Sequence, residues 1–230
     1  MTQRRMLVGA NPIVIIKAVA SIIVKGVDGD QLTAAAVERW GLKIEKRNPA
    51  EFARARAAIG ETVLFDWRFN RPNFQAGKTP VQVVEVQVGG SGEVWAPVGS
   101  NLKVYAGKDI DVRGIYGQVD AFAGLNLNLQ DIYLLGNASS GGQMNLDCQT
   151  MLGDKVEFKA GGDLRFHIRD LTGARIRVKD LGGFWEARIG DEAKSISLKS
   201  GGDVTLVTAE KVEPLPPHYI LGKIELPSSI

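Results

Sequence analysis

The 230-residue sequence predicts an all-β chain, a parallel β-solenoid (β-helix) of about 17–21 residues per coil with a short N-terminal helix and terminal capping segments. Three observations predict it. Glycine turns fall at Gly90, Gly107, Gly124, Gly142, Gly162, Gly183 and Gly202, at spacings of 17, 17, 18, 20, 21 and 19. Between them apolar and polar residues alternate, as in Leu125, Leu127 and Leu129 against Asn126, Asn128 and Gln130. Period-two alternation marks strands with one buried and one wet face. Finally, apolar residues recur in columns: Val156, Ile176 and Ile196; Phe158, Val178 and Leu198; Met144, Leu164 and Val204. A constant offset is what stacked parallel coils require, because equivalent positions then lie over one another at a strand spacing of about 4.8 Å.

The elements follow in chain order. Residues 1–80 carry short apolar runs, with VDGD at 27–30 as a turn and LTAAAVERWGLKIEKR as a return strand pair. Residues 49–58, PAEFARARAA, bring good helix formers together, with Pro49 suited to a first turn and Phe52, Ala55 and Ile59 on one side. ETVLFDWRF reads as a strand and RPNFQAGKTP as a loop. This N-terminal part is expected to pack as the first coils or as a cap. Residues 81–210 form the solenoid, in which glycines serve corners that need positive φ. Residues 211–230 follow, with Pro214, Pro216 and Pro217 ending the last coil and YILGKIEL as a cap or an arm laid on a neighbour. An open-ended solenoid leaves unpaired backbone groups, so its ends are either capped or stacked on other subunits.

Composition narrows the function classes. With 28 basic and 26 acidic residues the net charge is +2, which supplies no global attraction for nucleic acid or anionic lipid. The one cysteine, Cys148, excludes an intramolecular disulfide. Its alternation with Met144 and Leu146 places it among inward side chains, as a structural thiol rather than a nucleophile. TQRRMLVGANPIVIIKAVAS has the outline of an export signal, but Asn11, Pro12 and Lys17 interrupt its apolar stretch, which is too broken to span a bilayer. The alternative is that residues 14–17 and 22–25 are ordinary strands. A cytoplasmic location is favoured over export, with association with a bacterial envelope as the other reading.

The segment APVGSNLKVYAGKDIDVRGIYGQVDAFAGLNLNLQDI resembles a bacterial β-strand repeat family of unknown function or adhesin type. The resemblance is carried by Pro97, Gly99, Leu102 and Val104, then by Gly107, Ile110, Val112, Ile115 and Gly117. VKGVDGDQLTAAA at 24–36 is similar to the opening strand of that family. The resemblance implies a stacked β-helix in surface, envelope or scaffolding roles, and no catalytic motif. A weaker similarity is to bactofilins, cytoplasmic solenoids that polymerise end to end.

Candidate chemistry is sparse. GGSGEVW at 89–95 approaches the calcium-binding nonapeptide, but Val94 stands where the ligating aspartate belongs and no second copy follows. Aspartates recur at turns and on wet faces, where they solubilise; a carboxylate-based polysaccharide cleavage is the least favoured reading. His167, flanked by Arg165 and Arg169, is poorly placed as a ligand. Trp185, before Ala187 and Ile189 in alternation, reads as core, while Tyr105 and Phe122 fall one coil apart on the outer face. No catalytic, cofactor-binding or metal-binding residue is therefore assigned. The strongest surface feature is basic: Lys159, Lys179 and Lys199 lie twenty apart, with Arg175 and Arg177 beside them. Such a ladder could bind an anionic polymer, an acidic polysaccharide, a nucleic acid or lipid head groups. Alternatively it solubilises the sheet and discourages edge pairing. Without interleaved aromatics it does not specify nucleic acid. The expected function is a non-enzymatic structural or scaffolding protein that associates with itself through solenoid ends or tail, with the anionic-polymer module as the alternative.

Overall fold

A computed structural model of the chain describes residues 1–9, 11–38, 41–48, 82–151, 155–168, 176–180, 185–189, 195–200 and 204–208. These contain seventeen strands. The first five are β1 (Thr2–Leu7), β2 (Ile13–Ala18), β3 (Ile22–Val27), β4 (Gln31–Ala36) and β5 (Leu42–Arg47). Four more are β6 (Val83–Val88), β7 (Gly92–Pro97), β8 (Asn101–Ala106) and β9 (Ile110–Ala123). Next come β10 (Leu127–Ser140), β11 (Met144–Met151), β12 (Lys155–Ala160) and β13 (Leu164–Ile168). The last are β14 (Ile176–Asp180), β15 (Trp185–Ile189), β16 (Ser195–Ser200) and β17 (Val204–Thr208). There is no helix among the described residues; the helix expected at 49–58, the strand at 61–69 and the C-terminal tail at 211–230 lie outside them.

The strands form one mixed sheet, which corrects the expected parallel β-solenoid. β4 is antiparallel to both β1 and β7, β5 is antiparallel to β6, and β15 is antiparallel to β14 and β16. A solenoid must keep one strand direction from coil to coil, and these hairpin-like reversals break that rule at both ends of the sheet. The column Val156, Ile176, Ile196 shows the effect. Val156 pairs directly with Ile196, while Ile176 is carried outward to pair with Ile189, which in turn pairs with Ile196. Hydrophobic periodicity specifies which face a residue uses but not the direction of the next strand, so a column of β-branched residues fits either arrangement.

Between these reversals the pairs are parallel. Two long strands, β9 and β10, tie them together. The first half of β9 pairs with β3 and the first half of β10, from Ile110 opposite Ile22 and Leu127. Its second half pairs with β8 and the end of β10, as Ala121 opposite Val104 and Ala138. The bend between the halves carries Gly114 at φ 65° and, one step along the stack, Asp131 at φ 52°. Each half thus leads into its own row of strands, and the two rows face each other across one core. Phe158 of β12 meets Phe166 of β13 across it, with ring centroids 5.0 Å apart and both side chains fully buried. Val14, Ile16, Val24, Leu102, Val112, Leu129, Leu146 and Cys148 belong to the same continuous cluster. β2 lies between β6 and β8, and β3 between β7 and β9. The N-terminal apolar stretch is therefore a pair of central strands.

The glycine corners have a different cause from the one expected. Among the described glycines only Gly9, Gly29 and Gly114 have positive φ. At Gly107, Gly124, Gly141 and Gly161 the constraint is proximity: an added Cβ would lie 2.2, 2.2, 2.3 and 2.2 Å from the carbonyl oxygens of Val19, Gly107, Gly124 and Gly141. The same corners continue the ladder, with Gly124 N donating to Ala106 O at 2.9 Å and Gly161 N to Ser140 O at 3.0 Å. Backbone stacks on backbone here, and no side chain fits between. Gly124→Ala should cost about 1–3 kcal/mol or more, as overpacking against rigid backbone does. Leu125→Ala, beside it but about half exposed, should cost well under that; urea denaturation of the two variants distinguishes them.

Candidate binding face

The outer faces of the two rows differ. On the face formed by β3, β9, β10, β11 and β13, polar side chains bond to one another from strand to strand. Asp109, just before β9, accepts from the Ser21 hydroxyl at 3.1 Å through one oxygen, and from Asn126 N at 3.2 Å and Asn126 Nδ2 at 3.0 Å through the other. Asn126 Oδ1 in turn accepts from Gln143 N at 3.1 Å. A parallel ladder runs through Asp111, Asn128 and Asn145, with Asn128 Nδ2 donating to Asp111 at 3.3 Å and Asn145 Nδ2 to Asn128 at 3.0 Å. Burial pushes the Asp109 carboxyl up, but hydrogen bonds from Asn126 and Ser21 outweigh this and hold it below the ordinary range. His167 ends this face, its Nδ1 3.0 Å from Asp147 Oδ1.

The other outer face carries the lysine positions that the sequence singled out. Lys159 of β12 pairs with Lys199 of β16 on one side and Ser139 of β10 on the other. Lys199 pairs with Glu186, and Glu186 with Lys179, so an acidic position separates these two lysines. Arg177 pairs with Arg188, two residues along the same strands. Arg175 lies outside the described residues. In the opposite direction the row runs from Ser139 to Phe122, Tyr105 and Lys17. The rings of Tyr105 and Phe122 are stacked, 5.1 Å between centroids and 17° between planes. Lys103 Nζ lies 5.6 Å from the first centroid and 5.7 Å from the second. Cation–π attraction at that range suits a partly solvated ammonium.

Basic and aromatic side chains thus share one line, which the sequence alone did not reveal. Lys17, Phe122 and Lys159 are remote in the chain, and only the pairing of β2 with β8 and of β10 with both β9 and β12 brings them together. The one available signal was the 17-residue offset between Tyr105 and Phe122.

Glu85 anchors the end of this face. It is 7 % exposed and bound by Lys17 Nζ at 2.9 Å, Arg47 Nε at 2.8 Å, Arg47 Nη2 at 2.7 Å and Gln87 Nε2 at 2.9 Å. Burial would raise its pKa, but the hydrogen bonds from Gln87, Lys17 and Arg47 and the charge of Lys17 bring it down to about 2. The network ties β5 and β2 to β6, so it holds the reversed strand β5 in place. Beside it Ile13, Ile15 and Val83 form a small separate apolar cluster against which Tyr105 packs. Among the described residues no group of three or more His, Cys, Asp or Glu could hold a metal ion, and no helix is long and apolar enough to cross a membrane.

A carboxyl whose folded pKa is depressed stabilises the fold above its ordinary pKa, and that contribution is lost as pH falls through the folded value. The Glu85 contribution should therefore be complete above pH 4.5 and disappear towards about pH 2. Glu85→Gln should lower stability at pH 7 by about 1–3 kcal/mol and flatten the acid limb of the stability–pH curve, as followed by thermal denaturation. No family model, curated protein or solved structure matches the chain.

Proposed function

We propose that this protein is a non-enzymatic structural scaffold that associates with itself through an edge of its sheet. The observation that carries this reading is the use of polar side chains. Asp109, Asn126, Gln143, Asp111, Asn128 and Asn145 spend their hydrogen bonds on the neighbouring strand, as a building element does. A catalytic face would instead aim such groups at a common point. The likeness of residues 96–132 to the bacterial β-strand repeat family supports the same reading.

Association is assigned to one edge on the basis of charge. Strand β1 carries Arg4 and Arg5, and β5 carries Lys43, Glu45, Lys46 and Arg47. Charges on an edge strand discourage addition of another chain. β14 likewise contains Arg177, Lys179 and Asp180. β17, VTLVT, has no charged residue and is registered with β13 alone among the described strands. It is the edge best suited to receive a strand from a second copy.

Light scattering after gel filtration should show a species larger than the monomer, insensitive to moderate salt. The double variant Thr205→Lys, Val207→Lys should return it to a monomer with unchanged circular dichroism. A wild-type protein that is a monodisperse monomer at tens of micromolar would defeat the proposal.

A further inference from the structure

The two sides of the core end at different levels. β16 continues β12 and β17 continues β13, but on the β12 side two further strands follow, β15 and then β14. On the β13 side β17 is the last described strand. Register carries the core face outward past it. Phe158, fully buried, pairs with Leu198, Leu198 with Ala187, and Ala187 with Val178. Two residues along the same strands, Ile196 pairs with Ile189 and Ile189 with Ile176, on the same face of the pleat. Ile176, Val178, Ala187 and Ile189 thus mark an apolar ledge two strands wide, and no described strand lies opposite it. β17 borders the ledge with Val204 and Leu206, in register with the buried Leu164 and Phe166.

One strand added beside β17 covers its bare edge and lies over the ledge at the same time. Resting on the association at β17 proposed above, we infer that this strand is the C-terminal segment of a second copy, residues 219–226. The chain leaves the ledge at Thr208, with residues 209–230 still to come. Among them YILGKIEL alternates Ile220, Ile224 and Leu226 with Leu221, Lys223 and Glu225, and Pro227 closes the run. Laid beside β17, that pattern gives its more apolar face to the ledge and its charged pair to water. The connector decides between its own copy and another. Residues 209–218, AEKVEPLPPH, contain no Gly, Asn, Asp or Ser, on which sharp reversals rely. Glu213, Leu215 and Pro216 each precede a proline, which disfavours the helical region, and a proline-rich stretch extends by about 3.1 Å per residue. A stiff connector carries the segment away from the edge it has just left. Each copy has one segment to give and one edge to fill, so reciprocal exchange satisfies both and closes at a dimer.

Complementation between two full-length variants tests this. The edge variant, Thr205→Lys with Val207→Lys, keeps its segment; the segment variant, Ile220→Lys with Ile224→Lys, keeps its edge. Each alone should be a monomer in light scattering after gel filtration, its self-association weakened about tenfold or more. Mixed, they should regain a dimer containing one of each, resolved by native mass spectrometry, because an intact segment then meets an intact edge. A segment variant that stays dimeric while the edge variant is monomeric would overturn the inference and leave association at β17 standing, with another strand as the guest. Two monomeric variants that do not combine would also overturn it, since the segment would then serve its own copy. A monomeric wild type would defeat the association itself. Circular dichroism checks that each variant is folded, and Ile224→Ser supplies a milder segment variant if the lysines disturb the fold.

Discussion

Everything in this structure depends on backbones approaching closely enough at the corners for one strand layer to register on the next. At Gly107, Gly124, Gly141 and Gly161 the carbonyl of the preceding layer occupies the space where a Cβ would be. With that space open, the corner amides donate to the layer below, from Gly107 N to Ala18 O at 3.1 Å through Gly161 N to Ser140 O at 3.0 Å. The ladder is thereby continuous around the turn, and buried backbone groups there are satisfied. The registry so imposed puts Ile110, Leu127, Met144 and Leu164 in one inward line, all fully buried. Each such side chain contributes about 1.5–3 kcal/mol on burial, so the corner spacing is what makes the core continuous.

The same registry organises the two outer faces, to opposite effect. Along Asp109, Asn126 and Gln143 it aligns donors with acceptors, and the polar groups satisfy one another. Along Lys159 and Lys199 it aligns like with like. One repeated offset therefore yields a face on which polar groups bond from layer to layer and a face on which lysine positions fall opposite one another. The difference lies in side-chain chemistry: an amide can donate and accept in a ladder, whereas an ammonium only donates.

The antiparallel strands at the sheet's ends have a distinct role. β5 turns the sheet back on itself beside β6, and its Arg47 reaches the buried Glu85 that also holds Lys17. The ion network sits where strand direction changes. A buried carboxylate held by two half-exposed cations resists sliding, since a slip of one residue would leave Glu85 buried without its partners. Such a network favours one register over its neighbours, which alternating Val and Ile do not do by themselves.

How much of this was legible in the sequence follows from what local pattern encodes. Alternation placed Leu127, Leu129, Leu164, Phe166 and Cys148 inward, and they are buried, whereas Leu125, placed with them, sits at a corner and is about half exposed. It placed Tyr105 and Phe122 together on the outer face, and their rings are stacked. The glycine spacing marked the corners, although their cause is backbone proximity rather than positive φ. These features depend on the two-residue pleat and on a constant layer length, both of which are written in the order of residues. Strand direction, the insertion of β2 and β3 between strands some seventy to ninety residues later, and the union of Lys17, Phe122 and Lys159 in one row are not. They are decided by pairing between remote segments, whose apolar faces are chemically interchangeable. Sequence alone thus determined which side of each strand meets the core and where the chain turns. Tertiary structure alone decided which strands are neighbours, because hydrogen bonding between backbones does not read side-chain identity.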